Sequence, residues 1–165
     1  MSTGDIKILA QASYAGKGAR KYNTASGTTI NPGEPVVRTL GAVAVTAMGS
    51  GVSGVAGPQV GTDYVVGISA TTSRDTTTAA GYVYVYPLSS QTTYLIAAND
   101  ATAWNLQSEY DALVGKRLVI DYTAGKYTIL STDDQYSGCV VVALDVSRYP
   151  GKVAFAFREG LSDLS

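Results

Sequence analysis

The stretch Tyr82-Val83-Tyr84-Val85-Tyr86 alternates without interruption between aromatic and β-branched side chains. In extended backbone successive side chains point to opposite sides, so the three tyrosines share one face and the two valines the other. The stretch therefore reads as a strand whose valines turn toward a core.

The same period of two continues on either side. Upstream it recurs in Val36-Val37-Arg38-Thr39-Leu40 and Tyr64-Val65-Val66-Gly67-Ile68. Downstream it recurs in Thr93-Tyr94-Leu95-Ile96, Arg117-Leu118-Val119-Ile120-Asp121-Tyr122, Tyr127-Thr128-Ile129-Leu130, Cys139 to Val146, and Val153-Ala154-Phe155-Ala156-Phe157. Most of these runs are rich in Val, Ile, Tyr and Thr, whose branched or flat side chains suit a pleated surface. Turn chemistry separates them. Thr123-Ala124-Gly125 reads as a three-residue hairpin loop, and Asn31-Pro32-Gly33 and Tyr149-Pro150-Gly151 place Pro and Gly as a type II turn requires. The pattern predicts an all-β fold, a single compact β-barrel or β-sandwich.

One short helix interrupts it. Ser108 is expected to cap it with Asp111 as capping-box partner; Tyr110, Leu113 and Val114 would share a face, and Gly115 would end it. This helix would plug a barrel end, with Trp104 anchoring the crossing connection in the core. Residues 10–31 show little periodicity, so residues 1–30 are expected to form an extended N-terminal arm and residues 31–165 the β domain. On that division, removing residues 1–28 should leave the β domain folded. Residues 48–62 read as a flexible glycine-rich loop. A weak echo joins Val65–Tyr86 to Val141–Phe157, each an apolar strand, a polar connection and a Gly-led alternating strand. Two such hairpins do not amount to a repeat architecture.

Composition narrows the chemistry. Only 15% of the 165 residues are charged, against roughly 25% in ordinary soluble proteins; 18 Gly, 18 Thr and 15 Ser take their place. The chain has no His and a single Cys, Cys139. Histidine-based triads, imidazole metal sites and disulfide frameworks are thereby excluded. With 12 basic and 13 acidic side chains the net charge is −1, which argues against nucleic-acid or membrane binding. The distribution is uneven: residues 1–40 carry 5 basic and 2 acidic groups, net +3, and residues 41–165 carry 7 and 11, net −4. No apolar run is long enough for a transmembrane helix, and the N-terminus lacks a signal-peptide core, so a soluble cytosolic product is expected.

The chemical motifs are weak. Gly49-Ser50-Gly51-Val52-Ser53-Gly54 matches a dinucleotide fingerprint, but neither a helix start nor a βαβ unit surrounds it, so it reads as a loop and no cofactor is expected. A carboxylate pair can hydrolyse glycosides without His. Yet Glu109 and Asp111 would point to different faces of a helix, and Asp133-Asp134 reads as a solvated loop without calcium-loop spacing. No catalytic or metal-binding residue is assigned. Cys139 reads as a small buried hydrophobe. The Tyr82, Tyr84 and Tyr86 face has two readings: it is covered by a second packed sheet, or it serves as an oligomer or partner interface.

The succession Ile30-Asn31-Pro32-Gly33-Glu34-Pro35-Val36-Val37, Asp63-Tyr64-Val65-Val66-Gly67-Ile68-Ser69 and Ala80-Gly81-Tyr82-Val83-Tyr84-Val85-Tyr86-Pro87 resembles the head decoration, or cement, proteins of tailed bacteriophages. Val114-Gly115-Lys116-Arg117-Leu118, the Gly hairpin, Gly138-Cys139-Val140-Val141-Val142 and Lys152–Arg158 continue the likeness. It covers roughly residues 30–158 and rests on strand order and turn residues; residues 10–29 lie outside it. The resemblance implies a compact β-barrel or β-tulip domain, often trimeric, which sits near three-fold or quasi-three-fold positions of an assembled capsid and clamps neighbouring capsomers. The implied partners are the major capsid protein and further copies of the chain. The implied location is the outer capsid surface of the virion, after synthesis in the host cytoplasm. No catalytic residues carry over. The basic arm, through Lys17, Arg20 and Lys21, would grip the capsid. Two other functions fit the residues: a receptor- or glycan-binding fibre or tail domain using the tyrosines, and a small β glycoside hydrolase.

Overall fold

The computed structural model describes residues 6–11, 18–39, 41–48, 63–77, 81–87, 92–100, 104–123, 125–133 and 139–157. Among the described residues, eleven strands and one helix follow in chain order: β1 (Lys7–Gln11), β2 (Arg20–Asn23), β3 (Pro35–Thr39), β4 (Thr46–Ala47), β5 (Asp63–Ser69), β6 (Tyr82–Pro87), β7 (Thr92–Ala97), α1 (Gln107–Asp111), β8 (Arg117–Thr123), β9 (Lys126–Asp133), β10 (Cys139–Val141) and β11 (Lys152–Phe157). The protein is all-β, with two antiparallel sheets and one short helix. One sheet has the order β2-β6-β5-β3-β4, the other β1-β7-β11-β10-β8-β9. Residues 49–62, most of the predicted glycine-rich loop, lie outside the described residues, as do Leu40, Ala124, Asp134 and Gly138.

Apart from β1, the two sheets have one topology. In each, the first strand pairs with the fifth, the fifth with the fourth, the fourth with the second and the second with the third. Each sheet also curls until its outer strands meet at one parallel bridge, Thr24 with Val45 in the first and Ala98 with Ile129 in the second. A single bridge is not a ladder, so neither sheet is a closed barrel. Hydrogen bonds outside the ladders repeat between the two units. Thr24 N–H donates to Gly81 O (2.9 Å) as Ala98 N–H does to Gly151 O (3.0 Å), and Ala25 N–H to Val45 O as Asn99 N–H to Ile129 O (both 3.0 Å). Gly33 N–H donates to Ser69 O as Gly115 N–H does to Val141 O (both 2.9 Å), and Ala70 N–H to Tyr84 O (2.8 Å) as Val142 N–H to Ala154 O (3.0 Å). The echo in the sequence is thus the trace of a full duplication. Two five-stranded units, residues 18–87 and 92–157, follow each other.

Matching positions explain why both units fold alike. Gly33 and Gly115 enter the second strand of each unit at φ 83° and 86°, a backbone region that side chains rarely adopt. Val36, Val45, Val83 and Val85 correspond to Leu118, Ile129, Val153 and Phe155, and all eight are fully buried. They face the concave interior of their unit. Burial of each contributes about 1.5–3 kcal/mol. In the first unit these valines, with Ile30 and Val66, form a small cluster of their own. The large cluster fills the second unit and extends to Ile6, Val37, Met48, Val65 and Ile68, on the opposite face of the first unit's sheet. The two units are therefore packed on one another through this shared core.

Several expectations need correction. The N-terminal segment is not wholly an arm: β1 pairs with β7, β2 pairs with β6, and Ile6 and Ile30 are buried. Both strands lie at sheet edges and are too short for four or five alternating residues to stand out in a polar sequence. Cys139 to Val146 is a strand only to Val141. Ser108 does not cap α1. Leu106 occupies the cap position without a side-chain bond, and the helix is held instead by Gln107, whose amide donates to Leu144 O (2.9 Å) and accepts from Val146 N–H (3.1 Å). Tyr110 is buried as expected, whereas Val114 is 43% exposed. Trp104 is fully buried against Tyr110.

Candidate functional site: a tyrosine and lysine face on β2 and β6

The valine face of β6 is the lining of the first unit, so the tyrosines stand on its outside. Cross-strand register sets their neighbours, because positions directly opposite one another share a face. Tyr84 lies opposite Lys21 and Tyr82 opposite Asn23. On the other flank Tyr82 bridges Arg74, with hydrogen bonds of 2.8 and 2.9 Å between their main chains, and Tyr86 lies opposite Ile68. Arg74 reaches this position through the turn at Asp75, whose φ of 52° is in the left-handed region that Asp tolerates better than most residues.

The face is ordered and partly open. The Lys21 ammonium sits 4.3 Å from the centre of the Tyr82 ring, a cation–π arrangement in which the ring's negative face holds the charge in place. Tyr82 meets Tyr84 edge to face at 5.9 Å and 89°. Tyr84 N–H donates to Thr71 Oγ1 (3.3 Å). Tyr84 and Tyr86 remain 39% and 38% exposed. No second sheet covers them within the described residues. A row of half-exposed tyrosines flanked by basic groups offers flat apolar area, hydroxyl hydrogen bonds and positive charge together.

The residues singled out in sequence divide as follows. Lys21, Tyr82, Tyr84 and Tyr86 come together on this face, although the sequence places the lysine and the tyrosines in separate segments. Arg20, opposite Val85, is on the other side of β2 and is half-buried; it is not part of the face. Lys17 lies outside the described residues. Arg74 was not anticipated. Its only sequence signal is one basic residue, next to Asp75, in a Thr- and Ser-rich connection, and it joins the site because that connection folds back along β6.

Three carboxylates elsewhere make local bonds. Glu34 Oε2 accepts from Asn31 N–H (2.7 Å), and Asp111 Oδ1 accepts from the Gln107 amide (2.7 Å). The Ser147 hydroxyl and N–H, at 2.6 and 3.0 Å, hold the Asp145 carboxyl below its usual range. Glu109 is exposed on α1. No group of three or more metal-ligating side chains occurs among the described residues, and no helix there is long and apolar enough to cross a membrane. No protein-family model matches the chain, and no curated protein matches it.

Proposed function

We propose that this chain is a structural virion protein, a homo-oligomeric decoration protein that binds an assembled capsid and clamps neighbouring capsomers. The observation that carries the reading is the half-exposed Tyr82-Tyr84-Tyr86 row with Lys21 laid across it. It is an interface-type surface, rigid because it stands on a paired strand and rich in the residue favoured at protein contacts. The low charge and Thr- and Ser-rich composition support it, since such surfaces meet neighbours without stranding buried ions. The compact body fits the β-tulip type of decoration protein that the sequence resembles. Its partners on this reading are the major capsid protein and further copies of itself, most simply as a trimer, on the outer surface of the virion. A protein that binds only the assembled shell stabilises that shell by its own binding free energy.

Co-sedimentation with expanded capsids tests this directly. The protein should pellet with them and raise their melting temperature, and Tyr84→Ala should weaken both effects. Failure to bind capsids at any concentration would sink the proposal. Binding to a glycan array that disappears in Tyr84→Ala would instead favour a receptor-binding fibre or tail domain.

A further inference from the structure

The duplication provides an internal control for the edges of the two sheets. The cross-strand pair Lys21–Tyr84 in the first unit corresponds to Leu95–Ala154 in the second, since both pairs join the first and fifth strands at the same register. In an antiparallel ladder alternate residues exchange main-chain bonds with the partner strand, and the residues between them turn theirs to the other side. Thr24 N–H donates to Gly81 O (2.9 Å), so Tyr22 and Arg20 are the residues of β2 bonded to β6, and the main chains of Lys21 and Asn23 face the outer edge. Ala98 N–H, donating to Gly151 O (3.0 Å), turns Leu95 outward from β7 in the same way.

The two equivalent edges are not equally covered. Along β7, Leu95 pairs with Lys7 of β1, a sixth strand added antiparallel to the unit. β2, by contrast, is the last strand of its sheet. Val45 N–H donates to Asn23 O (2.8 Å) where the sheet curls round to β4, but among the described residues no bond reaches the Lys21 main chain. Lys21 and Asn23 are both exposed. An open edge is commonly guarded by a charge that stands off it. Lys21 lies back instead, with its ammonium 4.3 Å from the centre of the Tyr82 ring. Its charge has no carboxylate partner among the described residues. Of the other charges nearby, Arg20 is on the far side of the strand and Asp75 adjoins Arg74, and both are already engaged.

Resting on the reading of the tyrosine row as an interface, we infer that the β2 edge takes an extended acidic segment of the partner as an added antiparallel strand. The segment bonds the Lys21 N–H and C=O, as β1 covers Leu95 in the second unit. A carboxylate directly opposite Lys21 shares its face and meets the ammonium beside Tyr84. Main-chain bonds then supply affinity, and the carboxylate selects the segment. A second copy pairing β2 on β2 would bring Arg20 and Lys21 of both chains together, which like charges oppose.

Amide exchange on the full chain, followed by NMR with a capped seven-residue peptide of alternating Glu and Val at millimolar concentration, tests this. The peptide should slow exchange at the Lys21 amide and bind more weakly as salt rises. Lys21→Pro removes an N–H that faces away from the β2–β6 ladder and should abolish binding. Lys21→Ala keeps that N–H and loses the charge, and should weaken binding up to about fivefold. If Lys21→Pro melts early, Lys21→Glu replaces it and should exchange the preference for a peptide of alternating Lys and Val. Unchanged exchange at Lys21, equal binding to Lys21→Pro and Lys21→Ala, or a Lys and Val peptide that binds the wild type as well would each overturn the inference. So would a Lys21→Ala protein that self-associates, because Lys21 would then be a guard of the edge. Capsid co-sedimentation separates the two readings. Lys21→Pro that binds capsids like the wild type refutes only strand addition, and slowed exchange at Lys21 without capsid binding refutes only the decoration function.

Discussion

The two units share one strand order but fill it differently. The first is lined by Val36, Val45, Val66, Val83 and Val85 and plugged by Ile30, which arrives on the short connection between β2 and β3. The second uses larger residues, Leu118, Ile129 and Phe155, together with Tyr94, Trp104 and Tyr110. The Tyr110 hydroxyl donates to Val142 O (2.8 Å) and accepts from Ala154 N–H (2.9 Å). Thr71 Oγ1 takes the equivalent N–H, that of Tyr84, in the first unit. The backbone pattern thus demands alternation and a few turn glycines, whereas the volume inside is settled separately by whichever connection closes the end. Outer faces are freer still. There the two units carry Lys21 and Tyr84 against Leu95 and Ala154, and one face is open where the other is buried.

The strongest way to break this comparison is to remove a strand from one unit only. Deletion of residues 1–28 takes away β1 and β2, the first strand of the first unit. The expected result is loss of the single cooperative melting transition, contrary to what an arm outside the core would give; a truncated protein that melts as sharply as the full chain would refute the duplication as a folding unit.

A smaller effect is expected at Gly67 and its counterpart Cys139, which are matched in register. A side chain at Gly67 would run into the Tyr86 carbonyl and the Val85 side chain, whereas Cys139 is already accommodated in the second core. Gly67→Ala should therefore cost about 3 kcal/mol or more in urea denaturation. Cys139→Ala should cost only about 1 kcal/mol, the loss of one small buried group. Equal costs would show that the approach of Tyr86 and Val85 does not restrict position 67 to glycine.

Tyr110→Phe comes next. It leaves the Ala154 N–H without its acceptor at a buried position, at about 1–3 kcal/mol. Burial pushes the Tyr110 hydroxyl from 10.0 up to about 12; the hydrogen bond from Ala154 opposes this and Asp111 adds to it. Since the folded value lies above the unfolded one, this contribution is present below pH 10 and is lost as pH rises from about 10 to 12. Thermal melts across that range should fall more steeply for the wild type than for Tyr110→Phe. The smallest effect on stability is expected for Tyr84→Ala, within about 1 kcal/mol, because half of the side chain stays in water and Ala154 fills the same place in the second unit. A large loss of stability there would turn the tyrosine from an interface residue into a packing residue.

Much of this was legible in the alternation itself. Val83 and Val85 turned inward as read, and the turns at Gly33 and Gly151 closed as their Pro-Gly pairs required, with bonds of 3.2 and 3.1 Å from Glu34 N–H to Asn31 O and from Lys152 N–H to Tyr149 O. The tyrosine face was visible as a face, but its openness was not. Short edge strands escaped, since the four residues Arg20-Lys21-Tyr22-Asn23 hold only two periods of the alternation and no β-branched residue to mark an inward face. The duplication was hidden because matching positions share polarity and seldom identity: Val36 answers to Leu118, Val45 to Ile129 and Val85 to Phe155.

By itself, the sequence determined the all-β character, the inward set of each strand and the turns between them, since these depend on side-chain period and on backbone angles of neighbouring residues. Which strands pair, that the chain builds one unit twice, and that Lys21 and Arg74 meet the tyrosines of β6 were decided by tertiary structure. Those are relations between segments far apart in the chain. They are selected by which faces can share a core, a choice that no local pattern encodes.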